Sequence, residues 1–311
     1  MTYNKLKLYV APMQGLTDAP FRHFHAGVYG AADGYFTPFL RIEHGEVRRR
    51  DLRDISSPLN ANHRLVPQII ARDRQEFETL SDAVADAGYR EIDLNLGCPF
   101  PLQTRRGRGA ALIANRAVLA DIADAMTARP DIKFSVKMRP GLSSPDEWMK
   151  TIDIINEMPL GRLTIHPRPA TQQYGGPLLM EEFAAMAAAL SHPVVYNGDI
   201  STPADIDRIA SAYLTIEGIM AGRGLLARPS LFAEWQSGRE WDADERLAHI
   251  LRLHTGVYRH YADTLCGDTQ ILSKIKPFWE YLEWEIGHKP AKAIRKAGSL
   301  AKYEAAVASI G

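Results

Sequence analysis

Eight short β-type runs alternate with amphipathic stretches across residues 6–221, and this alternation limits the fold more than any other feature of the 311-residue chain. The runs are Leu6–Pro12, Tyr35–Leu40, Leu65–Ile70, Glu91–Leu96, Lys133–Met138, Arg162–His166, Pro193–Asn197 and Glu217–Ala221. Helical stretches lie between them, clearest at Arg74–Ala87, Ala117–Ala128, Pro145–Glu157, Leu179–Leu190 and Pro203–Ala212. Asp73, Ser144 and Thr202 stand where N-caps belong, two of them followed by a proline suited to a first helical turn. Parallel strands need crossover connections, which alternating helices supply. Eight such units predict an α/β fold, a closed (β/α)8 TIM barrel. A doubly wound open sheet is the competing architecture and usually needs fewer strands.

After Phe232 the texture changes to helical periodicity with few strand signals, in ERLAHILRLHTGVYRHYADTL, LSKIKPFWEYLEWEI and the basic KPAKAIRKA. The expected organisation is a barrel over 1–232, a linker over 233–242 and an all-helical C-terminal domain over 243–311. With 46% hydrophobic residues the chain can bury a sizeable core, which excludes disordered and collagen-like classes. Cys98 and Cys266 cannot build a disulfide framework, and without a CxxC pair no metal site is expected. The opening MTYNKLKLYVAPMQG does not read as a signal peptide. No apolar run reaches the ~18 residues needed to span a bilayer, so a cytoplasmic protein is expected.

In a barrel of this kind the active site forms at the carboxyl ends of the strands. Polar or special residues recur there: Pro12 and Met13, Gln68, Asn95 with Cys98, Lys137, His166, Asn197-Gly198-Asp199, and Gly222-Arg223-Gly224. Loops after the seventh and eighth strands often bind phosphate; the glycines let backbone N–H groups approach an anion, and Arg223 adds a charged fork. Two ordinary β-to-α turns are the plain alternative. Gln68 and Lys137 would suit a flat heterocycle with amide-like edges that becomes anionic on reduction, as an isoalloxazine does. Cys98 stands at the catalytic face, and a thiol, ordinarily protonated at neutral pH, can serve as a general acid. Cys266 reads as structural.

Taken together these residues resemble the tRNA-dihydrouridine synthase family of flavin enzymes. The resemblance rests on APMQGLTDAPFR at 11–22, VPQI at 66–69, DLNLGCP at 93–99, VKMRPG at 136–141, IHPRPATQQYGG at 165–176, NGDI at 197–200 and MAGRGLLARPSLF at 220–232. LSKIKPFWEYL at 272–282 resembles the family's helical domain. It implies FMN against Pro12, Met13, Gln68, Lys137 and His166, with its phosphate at Asn197, Gly198, Asp199, Gly222 and Arg223. It implies NADPH or NADH as electron donor. Cys98 would protonate C5 of a uracil whose C6 receives hydride, and Asn95 and Tyr174 would touch that base.

Three departures stand out: Pro167 and Pro169 around Arg168, Pro140 after Arg139, and an arginine-rich stretch after Cys98. Arg105, Arg106 and Arg108 are expected to reach RNA phosphates, with Lys274 and Lys276 as further contacts. The formal charge of zero argues mildly against a protein that coats nucleic acid, but it hides segregation. Segment 101–116 holds four Arg and no acid, 272–302 seven basic against three acidic residues, and 41–64 six against four. Such a basic stripe is what local phosphate tracking needs. The expected partner is tRNA, with ribosomal RNA as an alternative substrate, acted on by a monomer with no DNA or membrane partner. A dihydroorotate dehydrogenase-like flavin barrel and a non-catalytic RNA-binding barrel are the competing readings.

Overall fold

The computed structural model describes residues 6–311; the first five, part of the stretch read for a leader, lie outside it. Eight parallel strands form the barrel: β1 (Lys7–Val10), β2 (Gly34–Phe36), β3 (Leu65–Val66 and Gln68–Ile69), β4 (Glu91–Leu96), β5 (Lys133–Met138), β6 (Leu160–Ile165), β7 (Val194–Asn197) and β8 (Gly218–Ala221). The order runs β2-β1-β8-β7-β6-β5-β4-β3. Pro67 divides β3 because it brings no N–H to the ladder. Leu65–Val66 pair with β2 while Gln68–Ile69 pair with β4, so the divided strand closes the ring. The Thr37 hydroxyl accepts the Gln68 N–H at 2.9 Å and steadies the break.

The barrel expected from the sequence is present, with corrected strand ends. β1 is shorter than Leu6–Pro12, β2 stops at Phe36 with only a single bridge from Leu40 to Ile69, and β6 starts at Leu160. A two-stranded antiparallel hairpin, Ile42–Glu43 with Glu46–Val47, was not anticipated. The strands alternate with period two. Ile92, Leu94 and Leu96 of β4 join the core beneath the helices, while Asp93 and Asn95 point into the lumen. Half of the lumen is apolar, built from Tyr9, Ala11, Phe36, Val66, Val195 and Met220. The other half is polar, and near its floor Arg162 pairs with Glu91 and lies over the rings of Tyr9 and Phe36.

Two caps form as expected. Asp73 accepts the Glu76 N–H at 2.8 Å, and Thr202 with Asp205 makes a reciprocal capping box. Ser144 does not cap a helix. The Glu147 carboxylate instead collects the N–H groups of Leu142, Ser143 and Ser144, so the stretch curls into a turn and the helix begins only at Ile152. The expected linker is also partly helical, since Leu231–Ser237 runs into it. Beyond it come Ala243–Thr264, Asp268–Ile275, Glu283–Ile286, His288–Lys296 and Leu300–Ala308. Their core includes Phe21, Tyr29 and Leu226 of the barrel. No helix among the described residues is long and apolar enough to cross a membrane.

Candidate active site

A cavity of about 880 Å³ opens at the carboxyl end of the sheet, within the size range of small-molecule and cofactor sites. Its wall contains Pro12 and Met13 after β1, Gln68 from β3, Asn95 and Cys98 from β4, and Lys137 from β5. His166 and Tyr174 follow β6, Asn197-Gly198-Asp199 follow β7, and Gly222-Arg223 follow β8. The helical region closes one side with Pro277, Glu280 and Tyr281. Because β4 and β8 lie four strands apart in an eight-stranded ring, Cys98 stands across the mouth from Arg223.

The deepest polar feature is a ladder that the sequence reading did not assign. Ser135 Oγ donates to Asp93 Oδ1 at 2.6 Å, and Gln68 Nε2 donates to Asp93 Oδ2 at 2.7 Å. Asn95 Nδ2 donates to Gln68 Oε1 at 2.8 Å, while Asn95 Oδ1 accepts the N–H groups of Gly97 at 3.0 Å and Cys98 at 2.8 Å. An ionised carboxylate only accepts. Asp93 therefore dictates how both amides are turned, and through them the position of the cysteine loop. Burial pushes the Asp93 carboxyl up to about 6 against the pull of its two hydrogen bonds. Its signal was available: Asp93 precedes Asn95 by two, which puts both on the lumen face.

Cys98 is half-buried, and burial raises its thiol above the ordinary value despite the Phe100 N–H and the cations Arg139 and Lys137. The thiol is thereby kept in its protonated form. Gly109, at φ +62°, lies against it; a Cβ there would fall 2.9 Å from Cys98 Cβ. From the neighbouring β5 round to β8 most of the charges are positive. Lys137 is lowered to about 8, first by burial and then by Arg139. His166 falls well below its ordinary value through burial and the cations Arg139, Lys137, Arg168 and Arg223. A guanidinium only donates, so at 3.4 Å from Arg168 the His166 Nε2 is an acceptor and the ring is neutral.

Arg168 is buried and forks onto Asp199 at 3.0 and 2.5 Å, while Arg223 reaches the same carboxylate at 3.0 Å. The Asp199 carboxylate is thus taken up by the two arginines. Tyr174 lies under two guanidiniums, Arg223 at 4.6 Å and Arg139 at 5.6 Å. Arg139, missed as a site residue, also holds the Arg168–Gln173 loop through three carbonyls. Glycine is required where the last two loops meet: a Cβ on Gly224 would fall 1.7 Å from the Ile200 carbonyl oxygen.

The expected RNA contacts fare unevenly. Arg105 and Arg106 are exposed on the loop after Cys98. Arg108 is buried, donating to Glu76 through Nε at 2.8 Å and to the Ile42 carbonyl at 3.1 Å, so it cannot reach a phosphate. Lys274 pairs with Asp18 at 3.1 Å and Lys276 donates to the Ala297 carbonyl at 3.1 Å. Both lysines are half-buried and engaged by groups of the fold.

A parallel barrel with a polar cavity at the carboxyl end of its strands is the architecture of a barrel enzyme. The family model of dihydrouridine synthases (Dus) matches residues 9–303. A Staphylococcus epidermidis protein described as a probable tRNA-dihydrouridine synthase is 30% identical over 265 residues, covering 81% of this chain and 78% of its own. A Bacillus subtilis protein described as probable tRNA-dihydrouridine synthase 2 is 29% identical over 261 residues, with the same coverages. Among solved structures, morphinone reductase superposes with a TM-score of 0.53 at 11% identity, covering 76% of this chain and 87% of that one, a likeness of fold alone. The chain belongs to the dihydrouridine synthase family, and it is an oxidoreductase.

Proposed function

We propose that this chain reduces the C5=C6 bond of uridines in tRNA, with FMN as its flavin and NADPH or NADH as electron donor. The residues present fit an anionic flavin. Lys137, Arg139, Arg168 and Arg223 outnumber Asp199 and Glu280 around the cavity, and their mutual repulsion is what an anionic ligand relieves. Gly222 packs closely on Met13, where a Cβ would fall 3.2 Å from Met13 Sδ, so the β8 end carries no side chain at that point of the wall. Gln68 keeps one amide N–H, and Lys137 its ammonium, for the ring; Pro12, Met13 and neutral His166 wall it. The phosphate would lie at Asn197-Gly198 and Gly222-Arg223, with Asp199 contributing its backbone alone.

Bound FMN would supply the hydride that adds to C6. The protein's part is the proton. Hydride addition builds enolate character across C5 and O4, and the Cys98 thiol donates to C5 and collapses it. Asn95 acts by clamping the Gly97 and Cys98 N–H groups, which aims the thiol; its remaining N–H is free for the base. Tyr174 supplies a flat face at the mouth. A uridine must leave its stack to reach this cavity, and Arg105 and Arg106 stand where its flanking phosphates would pass.

The observation that carries this reading is the half-buried Cys98 in the cavity wall, its own N–H and that of Gly97 clamped by Asn95, with Lys137 and Arg139 on the neighbouring strand beside it. Cys98→Ala is expected to retain flavin while losing 100-fold or more of dihydrouridine formation, on the order of a general-acid contribution. Mass spectrometry of tRNA after incubation with the yellow variant reads the result, and unchanged turnover overturns the acid role.

A further inference from the structure

Two and four residues beyond Cys98, the loop carries two large apolar side chains in water. Phe100 is 64% exposed and Leu102 is 67% exposed, and both belong to the wall of the Cys98 cavity. A surface leucine needs no explanation alone, but two such side chains at the mouth of a site do.

The loop cannot fold back to bury them. Pro101 opens the short helix Pro101–Thr104, whose inner side is taken by buried Gln103. Arg108 pins the far end to Glu76 and to the Ile42 carbonyl. Gly109 sits directly under Cys98, and the Ala110 N–H donates to the Cys98 carbonyl at 3.3 Å. Phe100 and Leu102 are thus held out by a rigid mount. Next to them Arg105 and Arg106 are exposed and make no ion pair among the described residues. Apolar side chains flanked by unpaired cations fit a partner whose flat apolar faces are strung on a negative backbone.

We propose that Phe100 and Leu102 form a wedge that enters the RNA base stack where the target uridine has been withdrawn. This rests on the reading that the cavity receives an extruded uridine. Extrusion breaks stacking on both neighbours, and apolar side chains inserted between bases are a known physical remedy. Two residues of chain span at most about 7 Å, so a wedge at position 100 stands beside the base that lies at Cys98. Phe100 takes the vacated stacking place, and Leu102 props the neighbouring base.

The test compares wild type, Phe100→Ala, Leu102→Ala and Phe100→Trp as flavin-loaded proteins in single-turnover dihydrouridine formation on tRNA. Alkylation of Cys98 by iodoacetamide, followed by peptide mass spectrometry, reports whether the cysteine loop is intact. The wedge predicts a loss of about tenfold for Phe100→Ala, less for Leu102→Ala, and near-full rate for Phe100→Trp. Cys98 alkylation should match wild type in all three. Full activity in Phe100→Ala overturns the wedge. So does a loss shared by Phe100→Trp or accompanied by altered Cys98 alkylation, because either marks a mere wall of the cavity. Unchanged turnover with altered sedimentation shows that a second copy covers the patch, and also overturns it. Wild type that forms no dihydrouridine on any tRNA defeats the underlying substrate reading, whatever position 100 holds.

Discussion

Replacing Asp93 by asparagine separates what this buried carboxylate does for stability from what it does for the site. Asp93 is fully buried, accepts from Ser135 and Gln68, and forms no ion pair among the described residues. Burial is the leading cause of its rise from 3.8 to about 6, offset only in part by the hydrogen bonds from Ser135 and Gln68 and by the cations Arg162 and Lys137. Below pH 4 both the folded and unfolded chains hold the proton, and the group has no effect. Between pH 4 and 6 the unfolded chain releases it while the folded chain keeps it, so stability falls as pH rises and stays reduced above 6. A difference of this size amounts to about 3 kcal/mol at neutral pH, taken as an upper bound. Asparagine keeps the shape without a charge to desolvate. Asp93→Asn is therefore expected to be about 1–3 kcal/mol more stable than wild type at pH 8, an advantage that disappears below pH 4. Its turnover should nevertheless fall about tenfold, the worth of one good hydrogen bond. Asparagine both donates and accepts, so Gln68 and Asn95 lose their enforced orientation, and a turned Asn95 sets its NH2 against the Gly97 and Cys98 N–H groups. Urea unfolding at pH 4, 6 and 8, beside single-turnover rates, reads both effects. A variant less stable at pH 8, or a stability difference independent of pH, refutes the reasoning.

Lys137, lowered to about 8, carries its full charge only below that pH. FMN affinity, followed by fluorescence quenching, is expected to fall as pH rises from 7 to 9. Lys137→Gln should bind about 10–100-fold more weakly at pH 7, from one lost charged hydrogen bond, with no pH trend over that range. The buried Glu76–Arg108 pair gives a third test. Arg108→Met leaves Glu76 with only Arg72 beside it and should cost about 3–5 kcal/mol in urea unfolding, whereas Glu76→Leu combined with Arg108→Met should recover most of it.

The alternation of short β-type runs with amphipathic stretches made the barrel legible, because parallel strands need helical crossovers between them. The rule that a barrel's site forms at the carboxyl ends of its strands gathered Gln68, Asn95, Lys137 and His166, which line one cavity. What alternation does not carry is the partner of a charge. Arg108 sits in an arginine-rich stretch and reads as surface, yet Glu76, 32 residues earlier, draws it inside. Asp199 reads as part of a phosphate loop, yet Arg168 and Arg223 claim its carboxylate from two other loops. Around Ser144-Pro145 the Glu147 carboxylate gathers the N–H groups of Leu142, Ser143 and Ser144 into a tight turn, and a 3-10 helix at Glu147–Lys150 precedes the α-helix that the pattern started at Pro145. Each of these is a long-range or competing polar contact, which local pattern cannot rank.

The boundary drawn at residue 243 shows the same limit from the other side. The change of texture there is real, but the helices beyond it are not a detached module. Gly256 lies so close to Phe24 that a Cβ would fall 2.4 Å from the ring, so Ala243–Thr264 packs tightly on the Ala19–Tyr29 helix. Asp18, at the head of that helix, accepts from Tyr261 at 2.7 Å and from Lys274 at 3.1 Å. The lysine expected to hold RNA instead helps fix the helical region to the barrel, and that attachment brings Tyr281 and Glu280 into the cavity wall. A basic residue spent on attachment can still serve the substrate, by setting where the mouth ends. On this view the net charge of zero is no argument against an RNA partner: acids that grip the fold, as Asp18 and Glu76 do, offset cations elsewhere, and Arg105 and Arg106 at the rim have no acid paired with them among the described residues.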